Sequence, residues 1–463
     1  MASLSGNAKR KASLTCLFGA FVFLQFTVLG IANHAGEGHL ATEQRDLVYY
    51  VLQAFVILGF LLNALYYRLR VEGRIRNAAA YGFFGLLAAC VAMMQATGLP
   101  PLANVIASMA AAFCVGGVGG AVHLRMSLET VAGDGIARCM GVGSAIAVIL
   151  QYLLQIQWGA TPFLPVFMLA SAGILLFLLL RIVPISSLEG DRQVARTSPQ
   201  RIAVVVVIAS AFMLFACFYN ETIHHLMIQS SYSTYTAYSW PRLMLVPGYL
   251  LFAAIGDANG GRYVPLATLC IMLVALLNVV LVGDAGTYWL NMCLFYFVIA
   301  ALTSYYLLTF WRLAPGTRHP AFWAPFGRML DSGAVLLTGA IHLSTFPVSA
   351  VIALDVAGIA LVIVLMAVGG DFNLTRAPSE PEAPVPSPEE RVKMLADECG
   401  LTGREREVLE ALVLTDDKNQ QIADSLFISR RQLQRHVSSI YEKTGATSRA
   451  GLIIRANGES PTR

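Results

Sequence analysis

The sequence predicts an all-α protein: a polytopic bundle of about twelve membrane helices in a six-plus-six arrangement, followed by a small four-helix domain. Two observations predict this class. Of the 463 residues, 56% are hydrophobic and only 13% are charged, whereas ordinary globular chains carry about a quarter charged residues. Long apolar runs fill the chain up to about residue 370, and a polar stretch with helical periodicity follows them. The change of composition indicates separate domains.

The membrane helices are marked by apolar runs of about 20 residues, the length that crosses a hydrocarbon core of about 30 Å. The first run lacks a convincing signal-peptidase site, so it is interpreted as a span. Twelve runs can be marked, at 13–32, 46–67, 78–98, 101–124, 136–157, 160–183, 202–222, 240–257, 263–282, 287–308, 327–346 and 348–369.

Basic residues predict the orientation of these spans, because Lys and Arg are retained in cytoplasmic loops. With the N-terminus inside, seventeen Lys and Arg residues fall in the inner segments, and only Arg45 and Arg242 fall in the outer ones. The bias persists over the whole apolar region. We therefore expect an even number of spans with both termini in the cytoplasm.

The longest inner connection, residues 184–201, separates six spans from six. This layout resembles the major facilitator superfamily. The connection from Gly256 to Arg262 is similar to the cytoplasmic Gly-Asp-Gly-Arg loop of that superfamily, whereas the connection from Tyr67 to Asn77 keeps Arg residues but lacks the Asp. The resemblance therefore covers topology more than motif.

Composition predicts three segments: a polytopic membrane domain at 1–370, a linker at 371–390 and a C-terminal domain at 391–463. The linker interleaves Pro with acidic residues. Such a composition favours an extended, semi-rigid spacer.

Four short helical patterns follow Leu401 in the C-terminal domain. Thr402 with Glu405 forms a capping-box signature for the first helix, and Ser429 with Gln432 repeats it for the third. Asn419 is expected to cap the second helix, and residues 448–455 are amphipathic enough for a fourth. The third helix would turn Leu433, Val437 and Ile440 towards the core.

The opposite face of the third helix is polar and basic. Residues 388–463 contain twelve acidic and twelve basic residues, yet the segment from Ser429 to Lys443 holds four bases against only Glu442. A basic stripe is often no more than a solvated surface, so charge alone leaves both interpretations open. The side chains expected to reach phosphates and base edges in a DNA groove are Arg430, Arg431, Gln434, Arg435, Ser438 and Lys443.

The stretch from Leu401 to Ala450 is similar along its full length to the LuxR-type helix-turn-helix DNA-binding domain. The matching residues are Leu401, Thr402, Arg404, Glu405, Val408, Leu409, Asn419, Ile422, Ala423, Leu426, Ser429, His436, Ile440, Tyr441, Lys443, Gly445 and Arg449. Three positions depart from the family pattern, with Asp416 in place of Gly, Gln432 in place of Thr and Thr444 in place of Leu.

This resemblance implies that the partner is double-stranded DNA and that the third helix enters its major groove. It also implies that the fourth helix supports a homodimer on a two-fold related site. His436 is expected to pack or to contact the DNA backbone rather than to act as a sensor.

Ionisable residues inside membrane spans are costly and therefore mark functional sites. Glu221, His224 and His225 lie at the outer end of the seventh predicted span, and His342 and Asp355 lie near the outer halves of the last two. These five residues are the candidates for sensing a ligand. Arg328 and Asp331, one helical turn apart, predict a local ion pair instead.

No phosphate-binding loop, nucleophile motif or metal-ligand pair occurs in the sequence, so we expect no enzyme activity, no cofactor and no metal. The chain resembles LuxR-type regulators of bacteria that carry a twelve-span membrane sensor. The expected function is a one-component transcriptional regulator of the bacterial inner membrane, in contact with the lipid bilayer, that senses an unidentified small molecule. Two alternatives stay open: a secondary transporter with a regulatory or partner-binding tail, and a structural protein that anchors DNA.

Overall fold

The structure is a computed structural model that describes residues 2–35, 42–69, 73–95, 100–130, 135–157, 170, 172–178, 180, 196–229, 240–282, 287–341, 343–368 and 387–456. Helices, short 3-10 turns and loops account for these residues, and no β-strand occurs among them. The predicted all-α class is therefore confirmed. The chain forms two compact units, Met1–Ser379 and Glu380–Arg463.

In the described ranges of the N-terminal unit we label the helices α1 to α12 in chain order; most of them are long and apolar, whereas α10 has four residues. Their bounds are α1 Ala2–Ala35, α2 Thr42–Arg68, α3 Gly73–Gln95, α4 Pro101–Thr130, α5 Ile136–Gln157, α6 Pro199–Gln229, α7 Leu245–Asp257, α8 Val264–Val282, α9 Tyr288–Leu313, α10 Pro320–Trp323, α11 Phe326–Ile341 and α12 Val348–Val368. Residues 172–178 are also helical.

Nine helical segments in the described ranges are long and apolar enough to cross a membrane. Two further predicted spans are helices with shorter apolar stretches, namely α3, which is apolar over Gly82–Met94, and α11, with 16 residues. The predicted span at 160–183 lies largely outside the described residues. A polytopic helical bundle is confirmed, and the number twelve stays a prediction.

Glycines allow α2 and α4 to pack backbone against backbone. A Cβ atom on Gly59 would lie 2.2 Å from the carbonyl oxygen of Phe113, and one on Gly116 would lie 2.1 Å from that of Val56. Both distances are far below van der Waals contact. Any side chain at either position would force the two helices apart, which explains part of the Gly-rich patch in α4.

Asp257 connects the second set of six predicted spans to the first. Its carboxylate oxygens accept hydrogen bonds from the backbone N–H groups of Ala137 and Arg138, each at 3.1 Å. These N–H groups lie in the first turn of α5, where no intrahelical acceptor exists and the helix dipole favours an anion. The Arg138 side chain adds an ion pair at 3.0 Å, but it is 72% exposed. Exposed pairs of this kind contribute little stability.

The C-terminal unit contains five helices around its own core. They are α13 Pro388–Glu398, α14 Gly403–Leu414, α15 Asn419–Ser425, α16 Arg430–Thr444 and α17 Arg449–Ala456. The core consists mainly of Val392, Leu395, Leu401, Val408, Leu409, Leu412, Ile422, Leu433, Ile440 and Leu452. Helices α14 to α17 correspond to the four predicted helices.

Helix α13 precedes the four predicted helices and begins inside the predicted linker, so residues 388–390 are helical. A capping box starts it: the Ser387 N–H donates to Glu390 Oε2 at 2.8 Å, and the Glu390 N–H donates to Ser387 Oγ at 3.1 Å. Proline at the first helical position is compatible with a helix because its missing N–H would have no partner there. The linker prediction was wrong for these three residues.

We expect the substitution Asp257→Ala to lower the thermal unfolding midpoint of the full-length protein in detergent. It leaves the α5 N–H groups without their acceptor, a loss of about 1 to 2 kcal/mol for a helix cap. Arg138→Ala is the matched control, because it removes only the exposed ion pair and should change the midpoint little. Equal effects of the two substitutions would contradict the capping role.

Candidate DNA-binding surface and membrane polar groups

Helices α15 and α16 form a helix-turn-helix with a tight, left-handed turn. Phe427 adopts a φ of 53° in this turn, and the Ile428 N–H donates to the Ala423 carbonyl at 2.9 Å. The prediction that Asn419 caps α15 was wrong, because Asn419 is the first helical residue. The side-chain oxygen of Gln421 instead accepts the Lys418 N–H at 2.8 Å, which closes the start of the helix.

Helix α16 is held in place by its ends and by its inner face. The predicted capping box is confirmed, since the Ser429 N–H donates to Gln432 Oε1 at 2.9 Å and the Gln432 N–H donates to Ser429 Oγ at 3.3 Å. Gly445 ends the helix with a φ of 66°, a left-handed conformation that glycine adopts without strain. Leu433 and Ile440 are fully buried, which fixes the rotation of α16 about its axis.

The remaining face of α16 is exposed and basic, and we call it the α16 face. Its side chains form no ion pair or hydrogen bond with other residues in the described ranges. They are available for a polyanion without first breaking a bond inside the protein. The α16 face consists of Arg430, Arg431, Gln434, Arg435 and Ser438.

Lys443, the sixth predicted DNA contact, has a partner inside the protein. Its ammonium group donates to Glu405 Oε2 at 2.7 Å. Glu405 is buried, and its other oxygen accepts the Ser439 hydroxyl at 2.6 Å. The same carboxylate accepts the Thr402 N–H at 2.8 Å, as the predicted capping box requires. Lys443 therefore joins α16 to α14.

The hydrogen bonds that converge on Glu405 change its acidity. The bonds from Lys443 and Ser439, together with the Thr402 N–H, lower the pKa of this carboxyl to about 2. Hydrogen bonds to the charged form favour ionisation, and here they outweigh the opposite effect of burial.

Arg449 stabilises the loop between α14 and α15. Its Nε donates to the Leu412 carbonyl at 2.7 Å and its Nη1 to the Asp417 carbonyl at 2.6 Å, while Nη2 bonds the Thr415 carbonyl. These contacts satisfy carbonyls at the end of α14, where a cation is also favoured by the helix dipole. Asp416 is not left-handed, so the loop does not need the glycine that the family usually has there.

The other two departures from the family pattern are also accommodated. Gln432 supplies the capping oxygen of α16, as described above. Thr444 is fully buried, but its hydroxyl donates to the Ile440 carbonyl at 2.6 Å. A polar group in the core therefore keeps a hydrogen-bond partner, which removes most of the cost of burying it.

The predicted membrane candidates lie at two helices that pack together, α6 and α12. Asp355 on α12 is fully buried, and its Oδ2 accepts the Thr222 hydroxyl at 2.6 Å. Glu221 is the neighbour of Thr222 and lies 3.9 Å from the Nε2 of His225, one turn further along α6. His224 is half-buried. His342 lies outside the described residues.

The sequence did not predict that the Tyr306 hydroxyl binds Arg328. The predicted ion pair between Arg328 and Asp331 is present at 2.8 Å, and the same Arg328 nitrogen donates to the Tyr306 hydroxyl at 2.6 Å. Tyr306 lies on α9, 22 residues away in the sequence, inside an aromatic run that suggests an apolar span. No local spacing signals this contact.

Comparison with known proteins assigns the C-terminal unit. Residues 400–456 match the family of bacterial regulatory proteins, luxR family. The chain is also 41% identical over 54 residues to the spore germination protein GerE of Bacillus subtilis (strain 168), an alignment that covers 12% of this chain and 72% of GerE. The chain belongs to the luxR family of bacterial regulatory proteins. Within this luxR-family chain, the match includes the capping boxes of α14 and α16.

The fold of the luxR-family chain is also similar to a solved membrane protein. The crystal structure of the human organic anion transporter MFSD10 (TETRAN) superposes with a TM-score of 0.54 and 14% identity, over 80% of this chain and 99% of that one. At this identity the likeness shows the fold alone. The major-facilitator-like layout predicted for the membrane domain is confirmed.

We expect Glu405 to make the stability of a fragment covering residues 380–463 depend on pH. Since the folded-state pKa is depressed from 4.5 to about 2, the carboxylate contributes on the order of 3 kcal/mol, present above pH 4.5 and lost as the pH falls towards 2. Urea unfolding at several pH values measures this. Glu405→Gln should remove most of the pH dependence in that window.

The matched control for this measurement is Glu407→Gln, which affects an exposed pair with Arg404. We expect the control to change the free energy of unfolding by less than about 0.5 kcal/mol, because exposed ion pairs contribute little. A Glu405→Gln fragment with unchanged stability at pH 7 would show that the network does not hold α16.

Proposed function

We propose that this luxR-family protein is a membrane-embedded one-component transcriptional regulator. Its membrane unit binds a small-molecule ligand, and its C-terminal unit binds DNA through the α16 face. One observation carries the proposal: a single chain joins a major-facilitator-like bundle to a luxR-family domain whose α16 face is exposed and basic. A regulator of this kind needs no separate messenger between the membrane and the DNA.

The α16 face supplies the side chains that sequence-specific recognition needs. Arg pairs with guanine through two parallel hydrogen bonds, and Gln pairs with adenine in the same way. Arg435 and Gln434 are adjacent on this face and suit base contacts, whereas Arg430 and Arg431, in its first turn, suit phosphates. Lys443 helps to position α16, because it donates a hydrogen bond to Glu405 on α14.

Two copies on a two-fold related site would use α17 as their contact. Ile453 and Ile454 on this helix are 38% and 39% exposed. Exposed isoleucines next to a DNA-binding helix are a suitable surface for a second copy of this chain. The proposed DNA-bound state is therefore a homodimer.

The proposed location is the bacterial inner membrane, with both termini in the cytoplasm. The distribution of Lys and Arg supports this orientation, and a DNA-binding unit must face the cytoplasm to reach the chromosome. Ligand binding would act by favouring one conformation of the bundle, because a ligand shifts an equilibrium only by its differential affinity for two states. Asp355, Glu221, His224 and His225 are proposed as polar groups of the sensing unit.

The proposal predicts sharp genomic binding sites for the full-length protein. In genome-wide crosslinking of the tagged protein in its own cells, we expect discrete peaks that vanish when Gln434 and Arg435 are both changed to Ala. Each bidentate base contact is worth about 1 to 3 kcal/mol, so the double variant should lose at least about thirtyfold in affinity. Lys393→Ala, an exposed charge on α13, is the control and should keep the peaks.

Two other outcomes would count against this proposal. Peaks that persist in the double variant would show that α16 does not read the DNA. An absence of peaks under several growth conditions would favour a secondary transporter with a regulatory tail. The second function draws support from Asp355, a fully buried carboxylate inside the bundle, since transporters use such groups for substrates or protons. Substrate flux into proteoliposomes distinguishes the two.

A further inference from the structure

A polar cluster lies among the apolar helices of the membrane unit, and we call it the Arg328 cluster. Its members come from three helices of the second half of the bundle. Tyr306 lies seven residues before the end of α9, which is about 10 Å along the helix axis. The cluster consists of Tyr249 on α7, Thr303 and Tyr306 on α9, and Arg328 and Asp331 on α11.

One nitrogen of the Arg328 guanidinium group holds the side chain in place. Nη1 donates to the Tyr306 hydroxyl at 2.6 Å and to Asp331 Oδ2 at 2.8 Å. The Tyr306 hydroxyl donates in turn to Thr303 Oγ1 at 3.3 Å. Because the guanidinium group is planar, these bonds also fix the direction of the opposite edge, formed by Nε and Nη2.

The Nε and Nη2 edge is open. Neither atom bonds any residue in the described ranges, and neither is among the buried polar atoms that lack a partner. The Arg328 side chain is 16% exposed and that of Asp331 is 37% exposed. Both charged groups therefore keep contact with a space that protein atoms do not fill.

This space lies on the inner side of α11. The lipid-facing side of the helix carries Leu337, which is 42% exposed. Leu337 follows Arg328 by nine positions, which is about two and a half helical turns. The two side chains therefore lie on opposite faces of the α-helix. On the inner side, Ser332 donates to Gln53 of α2 at 3.0 Å. Arg328 therefore lies on the side of α11 that packs against other helices, one turn from the contact with α2.

The chemistry of the cluster selects a ligand class. The Nε and Nη2 edge of an arginine matches a carboxylate, with two parallel hydrogen bonds. Asp331, beside it, can accept an ammonium group. The Arg328 and Asp331 pair is neutral overall, so a ligand with one positive and one negative group leaves no unpaired charge in the low-dielectric interior, whereas a simple anion or cation would.

We infer that the Arg328 cluster binds a small zwitterion that carries a carboxylate and an ammonium group, the chemistry of a free amino acid. The inference rests on the proposed sensing function and names the class of its ligand. The carboxylate binds Arg328, and the ammonium group binds Asp331. The ligand would lie one helical turn from the Ser332 and Gln53 contact, which joins the two sets of helices.

The test measures the thermal unfolding midpoint of the purified full-length protein in detergent with each standard L-amino acid as the probe. We expect at least one amino acid to raise the midpoint, because a ligand of the folded state stabilises it. The matched amine without the carboxylate, and the matched carboxylate without the amine, should not. Arg328→Lys should abolish the rise, since lysine keeps the charge but lacks the two-nitrogen edge.

Two further variants keep the test decisive if Arg328→Lys does not fold. Tyr306→Phe removes only the hydroxyl that positions Arg328, and it should weaken binding about tenfold, as expected for one hydrogen bond to a charged group. Asp331→Asn should weaken binding of the amino acid, because it removes the charged acceptor of the ammonium group. Arg318→Lys changes an exposed arginine outside the cluster and is the control that should keep full binding.

Three outcomes would overturn the inference: no amino acid raises the midpoint, the carboxylate analogue binds as well as the amino acid, or folded Arg328→Lys protein binds normally. The assay contains no DNA, so its result is independent of the proposed regulation. Binding at the cluster without any ligand effect on genomic peaks would preserve the site and reject the regulator. Genomic peaks that respond only to compounds other than amino acids would preserve the regulator and reject the site.

Discussion

The membrane unit depends on one constraint: hydrocarbon offers no hydrogen-bond partners, so polar groups must be satisfied within the protein. Long helices meet this constraint for the backbone. Side chains meet it locally, as when the Thr27 hydroxyl donates to the Phe23 carbonyl at 2.7 Å and that of Thr268 to the Val264 carbonyl at 2.8 Å. Arg328 and Asp355 also bond residues of other helices, since Arg328 donates to the Tyr306 hydroxyl and Asp355 accepts the Thr222 hydroxyl. Satisfying such polar groups therefore joins helices that are distant in the sequence.

The C-terminal unit meets a different constraint, because it is small and its helices pack around a core of their own. Its apolar core packs the helices together. The buried carboxylate of Glu405 on α14 also fixes the position of α16, because it accepts hydrogen bonds from Lys443 and Ser439. Arg449 does the same for the loop that precedes α15. Together these polar contacts hold the helix-turn-helix in one geometry, and they leave the α16 face free of internal bonds.

Sequence reasoning succeeded where the signal is local. Apolar length predicted the bundle, and the capping boxes at Thr402 and Ser429 predicted two helix starts. It failed at Asn419, where Gln421 supplies the oxygen instead, and at Pro388, where a proline-rich composition concealed a capping box. Contacts between distant residues had no local signal. Asp355 meets Thr222 across 133 positions, and such pairings follow only from how the helices pack.

The covalent connection between the two units has a consequence for how such a regulator finds its target. A DNA-binding domain fused to a bilayer protein cannot diffuse through the cell. With the proposed function, it would sample only those chromosomal segments that come to the membrane surface, and the two copies of the proposed homodimer would meet by lateral diffusion in a plane. Occupancy of a two-fold site would then follow the surface density of the protein and the position of the gene, rather than the number of molecules per unit of cytoplasmic volume.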